Sequence, residues 1–313
     1  MQRQPEKHLI TLPLVSKTEE NIYLPLVINV VLKYWGEEIE PNEALKLPQK
    51  YSGNKGSMTM EGIELPEKHG FKTYIYKGSI KDLKKGIDQG IPSIVILPGI
   101  HETVQHASIV SSYDSEERRI LTYLPEPDTI GAIPESQFQR DWEQDGYDRT
   151  SVDPNDMKDI LKNDILKFRD SNRTCFEAEK VHQQGNFNDA MEKLRIAIEL
   201  DNDNLQTWCL LGGIYNEINS GDAISCYEKT IILDPKYYLA YRGLGNYCLK
   251  NKDYLKAEDY YTKAIALNPY RFGPIYKNRA FTILQLENTS GAKDNLVRYL
   301  EQTPNAAHAI GQL

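Results

Sequence analysis

The first 174 residues of this 313-residue chain contain no cysteine. The four that exist, Cys175, Cys209, Cys226 and Cys248, all lie in the C-terminal half, and their spacings match no zinc pattern. They read as buried free thiols rather than metal ligands. Long apolar runs are also missing. No window reaches the length of a membrane span, and the opening MQRQPEKHLITLP lacks the apolar core of a signal peptide. No membrane association and a cytoplasmic location are therefore expected. Positive charge is in deficit as well: the net charge is -8, with most of the acidic excess before residue 150. That argues against nonspecific binding to nucleic acid or an anionic membrane, which needs a basic patch. The remaining composition, 40% hydrophobic and 26% charged, is that of a soluble globular chain with room for two domains.

What the first half does contain is one almost wholly apolar segment, Tyr23 to Gly36, YLPLVINVVLKYWG. Pro25 suits a first helical turn and Gly36 suits a helix stop. The Val and Ile content would also suit a strand, but the Pro/Gly punctuation and the length decide for a helix. A helix apolar on every side is a buried central one.

Downstream, a charged loop and a turn at Ser52 to Thr59 lead to EGIELPEKHG, a short helix that Pro66 must kink or restart. FKTYIYKG alternates as a strand. Ser79 and Asp82 form an S-x-x-D capping box opening a helix through Leu83 and Ile87. PSIVILP reads as a buried strand, and Gln105 to Tyr113 with Arg119 to Tyr123 as a hairpin around DSEE. PESQFQRDWEQDG is a helix with Phe138 and Trp142 on one side; these two and Trp35 are read as core packing. DRTSVDPND, polar and Pro-containing, marks a domain boundary at residues 148 to 156. An amphipathic connecting helix follows through Met157, Ile160, Leu161, Ile165 and Phe168.

The apolar helix and the ordered pieces GSIKDL, IPSIVIL, HASIVSSYD, ILTYLPEP and FQRDW resemble the bacteriocin-processing (double-glycine-leader) cysteine peptidases, a papain-like family. The resemblance covers about residues 8 to 145 and implies an α+β papain-like fold for residues 1–148. Such a peptidase needs a thiolate at a helix N-terminus, a His to shuttle its proton, a side chain to orient that His, and an oxyanion donor. Carried onto this chain, the nucleophile falls at Tyr23, the His at His106, the orienting carboxylate at Leu124 and the oxyanion donor near Lys17. A Tyr hydroxyl of pKa about 10 is a poor substitute for a thiol at neutral pH. Leu124 cannot accept an N–H. Three of the four roles are thus lost, and the resemblance implies a pseudo-peptidase, not an enzyme. Taken alone, His106 is most simply a hydrogen-bonded core residue at a strand start. His101, Glu102 and His106 spell H-E-x-x-x-H, but zinc peptidases use a shorter spacing on one helical face. Neither a metal site nor a cofactor is expected.

The second half repeats itself. Small residues recur at Ala178, Gly212, Gly245 and Ala280, with spacings of 34, 33 and 35, and again at Ala190, Ala223, Ala257 and Ala292. Pro235, Pro269 and Pro304 close successive units. This is the tetratricopeptide pattern, a helix–turn–helix unit of about 34 residues. It predicts an all-α solenoid of about four repeats over 171–313, with 149–170 as linker and connecting helix. The first unit is weakest, with Thr174 and Glu177 where large apolar residues belong. Stacked units present the first helix of each pair along a groove, here offering Arg242, Asn246, Lys250, Lys277 and Asn278 to a protein or peptide partner. Arg242, Asn246 and Asn278 are similar to half of the carboxylate clamp found in some tetratricopeptide proteins.

The sequence therefore predicts a non-catalytic protein- or peptide-binding scaffold. The alternative is an active peptidase or amide hydrolase that uses His106 with an unidentified nucleophile. A third reading leaves the first domain as a structural cap on functional repeats.

Overall fold

The computed structural model describes residues 7–13, 23–40, 43, 58–98, 105–124, 129–143, 148–154, 166–269 and 273–301. The chain forms two compact units, the first made of Met1–Pro98 and His106–Gly185 and the second mainly of Asn186–Leu313. No described helix is long and apolar enough to cross a membrane.

The first unit is α+β. Its strands are β1 (Lys7–Leu9), β2 (Lys72–Lys77), β3 (Ser93–Pro98), β4 (Gln105–Asp114), β5 (Arg119–Leu124), β6 (Thr129–Pro134) and β7 (Asp148–Asp153). Its helices are α1 (Tyr23–Tyr34), α2 (Met58–Lys68), α3 (Ile80–Asp88), α4 (Glu135–Glu143) and α5 (Arg169–Gln183). The strands make one sheet in the order β2-β7-β3-β4-β5-β6, with β1 beside β4.

The helix read from the apolar segment forms and is buried as expected: Val27, Ile28, Val30, Val31 and Leu32 are fully enclosed. Gly36, at φ +89°, ends it by a left-handed turn. The Gly36 N–H donates to the Lys33 carbonyl at 3.0 Å and the Glu37 N–H to that of Leu32 at 2.9 Å, which satisfies carbonyls the helix end would otherwise orphan. Each enclosed aliphatic side chain here contributes about 1.5–3 kcal/mol.

The period of two along the strands separates two cores. Ile94, Ala107, Ile109, Tyr123 and Val152 face the α1 cluster. Val95, Leu97, Val110, Tyr113 and Ile120 join Leu83 and Ile87 of α3 and Phe138 and Trp142 of α4. Regular alternation would put Val110 and Tyr113 on opposite faces; the irregularity between Val110 and Ser112 keeps them together. The Ser79–Asp82 capping box is present, each residue bonding the other's backbone N–H. The β4–β5 hairpin pairs antiparallel as predicted. Of the kink or restart expected at Pro66, the restart does not occur: α2 runs on through it.

The expected boundary at 148–156 needs correction. Its first six residues are β7, which lies between β2 and β3 inside the sheet. The segment looks polar because Ser151 and Asp153 satisfy each other: the Ser151 hydroxyl lies 2.9 and 3.0 Å from the two carboxylate oxygens, with both residues buried. Val152 alone supplies apolar burial, and its carbonyl accepts the Trp35 indole N–H at 2.8 Å. The connecting helix falls mostly on residues outside the described set.

The expected start of the repeats at residue 171 shifts as well. Helix α5 belongs to the first unit, where Phe176 packs with Ile63 of α2 and Ile75 of β2. Asn172 Nδ2 donates to the Ile75 carbonyl at 3.1 Å, Arg173 pairs with Glu67, and Lys180 lies 3.0 Å from Glu64. Thr174 and Glu177, out of place as repeat core, are only partly buried on this helix.

The second unit contains α6 (Phe187–Leu200), α7 (Leu205–Glu217), α8 (Asp222–Leu233), α9 (Tyr238–Lys250), α10 (Tyr254–Leu267), α11 (Gly273–Gln285) and α12 (Thr289–Glu301). Three helix pairs follow α6. Asn186, Asn204 and Asp253 cap α6, α7 and α10 with side-chain oxygens on first-turn N–H groups. Where paired helices cross, Gly212, Gly245, Ala223, Ala257, Ala280 and Ala292 are buried.

Candidate functional site

Of the degenerate catalytic positions, Lys17 lies outside the described residues, as do the side chains of Tyr23, His106 and Leu124. The backbone places Tyr23 as the first residue of α1, His106 as the second of β4 and Leu124 as the last of β5. Ile109 pairs with Tyr123, so His106 and Leu124 lie at the same end of the hairpin. His101 and Glu102 are outside the described residues, among which no group of three His, Cys, Asp or Glu is placed to hold a metal.

The repeat unit is better defined. Its geometry is governed by two tyrosines that sequence reasoning missed, Tyr227 and Tyr261, both buried. They stand 34 residues apart, at one repeat period, and that spacing is the signal the sequence offers for them. The Tyr227 ring lies against Gly212 of its own pair and Gly243 of the next. The Tyr261 ring lies against Gly245, and its hydroxyl donates to Asn246 Oδ1 at 2.7 Å. Asn278 Nδ2 donates to the same oxygen at 2.9 Å. Asn246 and Asn278, read from the sequence as ligand groups, are therefore joined in a polar link between α9 and α11.

Lys250 is also employed within the fold. Its ammonium donates to the carbonyls of Asn216 and Glu217, at 3.0 and 2.9 Å, at the C-terminus of α7. A cation there satisfies orphan carbonyls and meets the negative end of the helix dipole. Lys277 is exposed, with its Nζ 5.9 Å from the centre of the Tyr299 ring. Arg242 is half-buried, and its charge eases ionisation of Cys209, Tyr227 and Tyr261. Burial dominates at all three: it pushes the Cys209 thiol up to about 11 and raises both tyrosines well above 10.0. Burial, with the Asp222 carboxylate, pushes Cys226 up to about 12. Thiols raised in this way stay protonated at neutral pH, and the thiolate is the nucleophilic form.

The groove helices also expose apolar surface: Phe281 is 54% and Leu284 47% exposed on α11. Together with Lys277 on the same helix they offer a cation beside a hydrophobic patch.

Residues 238–271, which span α9 and α10, match the tetratricopeptide repeat family. No curated protein matches the chain. Among solved structures, a crystal structure of MamA is similar at 25% identity and a TM-score of 0.37, over 41% of this chain and 74% of that one. A second MamA structure is 24% identical with a TM-score of 0.39, over 48% of this chain and 81% of that one. PilF of Pseudomonas aeruginosa is 21% identical with a TM-score of 0.40, over 43% of this chain and 62% of that one.

Proposed function

We propose that this chain is a non-catalytic, cytoplasmic binding scaffold. In this reading a tetratricopeptide array grips a protein or peptide partner, and it is joined to a papain-like, bacteriocin-processing-type domain that has lost its chemistry. The observation that carries the binding half is the exposed surface of α11, where Lys277, Phe281 and Leu284 project from the first helix of a repeat pair. The family match at 238–271 supports the same reading, since such repeats act by presenting this helix to partners. For the first half, the support is chemical. No thiol precedes Cys175, and the position where the resemblance needs a carboxylate is Leu124. A hydrophobic side chain there cannot hold an imidazole in a productive tautomer.

The experiment compares the full chain with a Lys277→Glu, Phe281→Ala double variant as bait in a native lysate, with captured proteins identified by mass spectrometry. A partner retained by the first and lost by the second supports the groove. Equal retention overturns it. In parallel, the purified chain is incubated with a peptide ending in a Gly-Gly leader. Turnover that disappears in His106→Ala overturns the non-catalytic reading and favours a hydrolase with another nucleophile.

A further inference from the structure

A cleft of about 280 Å³ opens beside β2 in the first unit, against α2 and the first turns of α5. Four consecutive residues, Lys72 to Ile75, line it. Neighbouring residues of a strand face opposite ways, so such a run lines a cavity only along the strand's edge. β2 is the terminal strand of the sheet, with β7 on its inner side.

Among the described residues, the outer edge of β2 is half used. The Lys77 N–H donates to the Lys167 carbonyl at 2.8 Å, and the Ile75 carbonyl accepts from Asn172 at 3.1 Å. Backbone groups of alternate residues share an edge. The N–H and C=O of Thr73 and the N–H of Ile75 therefore point the same way, toward the cleft, and none of the three has a partner among the described residues. Thr73 is only 7% exposed, and its hydroxyl also lacks a hydrogen-bond partner among the described residues. An edge left open in this way is a template for another strand.

Two features select the occupant. The edge is closed beyond Ile75 by Asn172 and Lys167, so an added strand cannot run through and has to end there. The vacant stretch spans about 7 Å at the usual strand rise, room for two or three residues. Charge then selects which end. Three cations line the cleft against two carboxylates. Arg173 is paired with Glu67 and Arg169 with Asp170, while Lys72 makes no ion pair among the described residues. This local cationic excess stands out in a chain of net charge -8.

We propose that the open edge of β2 docks the extended C-terminal end of a peptide, which adds to the sheet as a short strand with its carboxylate drawn to the cations that line the cleft. The site is separate from the repeat groove and does not depend on how that groove is used. Strand addition of this kind draws affinity from main-chain hydrogen bonds and selectivity from the flanking side chains.

The test uses the full chain and a library of acetylated tetrapeptides with free carboxylates, selected by affinity and mass spectrometry. For retained peptides, hydrogen exchange at the Thr73 and Ile75 amides slows at least tenfold. Amidating the peptide's C-terminus weakens binding at least tenfold, and Lys72→Glu weakens it about fivefold. Thr73→Pro removes the outward N–H while leaving the ladder to β7 intact, and it abolishes binding. Lys277→Glu has no effect. The proposal is overturned if no peptide is retained, if protection maps to other amides, or if binding survives both amidation and Lys72→Glu. The last two manipulations touch only the ligand and an exposed side chain, so misfolding does not confound them.

Discussion

Tyr227 of one repeat leaves no room for a side chain at Gly243 of the next. A Cβ placed on Gly243 would stand 2.3 Å from the Tyr227 ring carbons Cε1 and Cζ. The contact joins α8 to α9, and it explains why the repeats need glycine there despite its low helix propensity. Gly243→Ala is expected to destabilise the second unit by about 1–3 kcal/mol, as overpacking of a filled core does. Gly213→Ala, in the preceding repeat and with nothing within 4 Å, is expected to stabilise it by about 1 kcal/mol through helix propensity. Urea unfolding of the two variants checks the opposite signs, and equal effects would refute the packing argument.

Asn246 accepts from both Tyr261 and Asn278. Replacing it by alanine strands two donors, whereas Tyr261→Phe removes one donor and leaves the Asn278 bond in place. Asn246→Ala is therefore expected to cost about 1–3 kcal/mol and Tyr261→Phe about 1 kcal/mol. Thermal melts decide the order. For this reason a binding loss in Asn246→Ala would not by itself identify a ligand contact.

Lys250→Met removes the cation from the C-terminus of α7 but keeps most of the aliphatic stem. The expected cost is about 0.3–1 kcal/mol, shrinking at high salt. A denaturation series at two ionic strengths measures it, and a salt-independent loss would point to packing instead.

The thiols make stability depend on alkaline pH. Cys209 and Cys226 stand at about 11 and about 12 in the folded protein against an ordinary 9.0. Between pH 9 and 11 the unfolded chain loses thiol protons that the folded chain retains. Stability from this source is thus complete below about pH 9 and falls as pH rises above it. Tyr227 and Tyr261, also raised by burial, act in the same direction. A Tm series from about pH 8 to about pH 10.5 is expected to decline, less steeply in Cys209→Ala. At about pH 8 neither thiol reacts with iodoacetamide until the protein is unfolded.

Ser79→Ala removes the acceptor that Asp82 N–H uses at 3.2 Å and half of the capping box on α3. The expected loss is about 1 kcal/mol, read by chemical denaturation. A neutral effect would mean that packing of Leu83 and Ile87 alone sets where the helix begins.

Much of this protein is legible in the residue order. A helix that is apolar on every side has to be buried, so the pattern alone assigns Val27 to Leu32 to a core. The repeat period is equally plain, because small residues at crossing points recur wherever helices must approach closely. The capping box and the β4–β5 hairpin are local chemistry and are legible for that reason. Tertiary structure alone decided which partner each ambiguous segment chose. β7 enters the sheet although it reads as a linker, since Ser151 and Asp153 satisfy each other's polarity only once both are enclosed. Helix α5 joins the first unit through Phe176 and Asn172 on β2 and Arg173 on α2, contacts that span about a hundred residues of sequence. Periodicity reports which face of an element is apolar, not which distant surface that face will meet. The same limit hides the open edge of β2, because a strand's unpaired backbone groups leave no trace in its side chains.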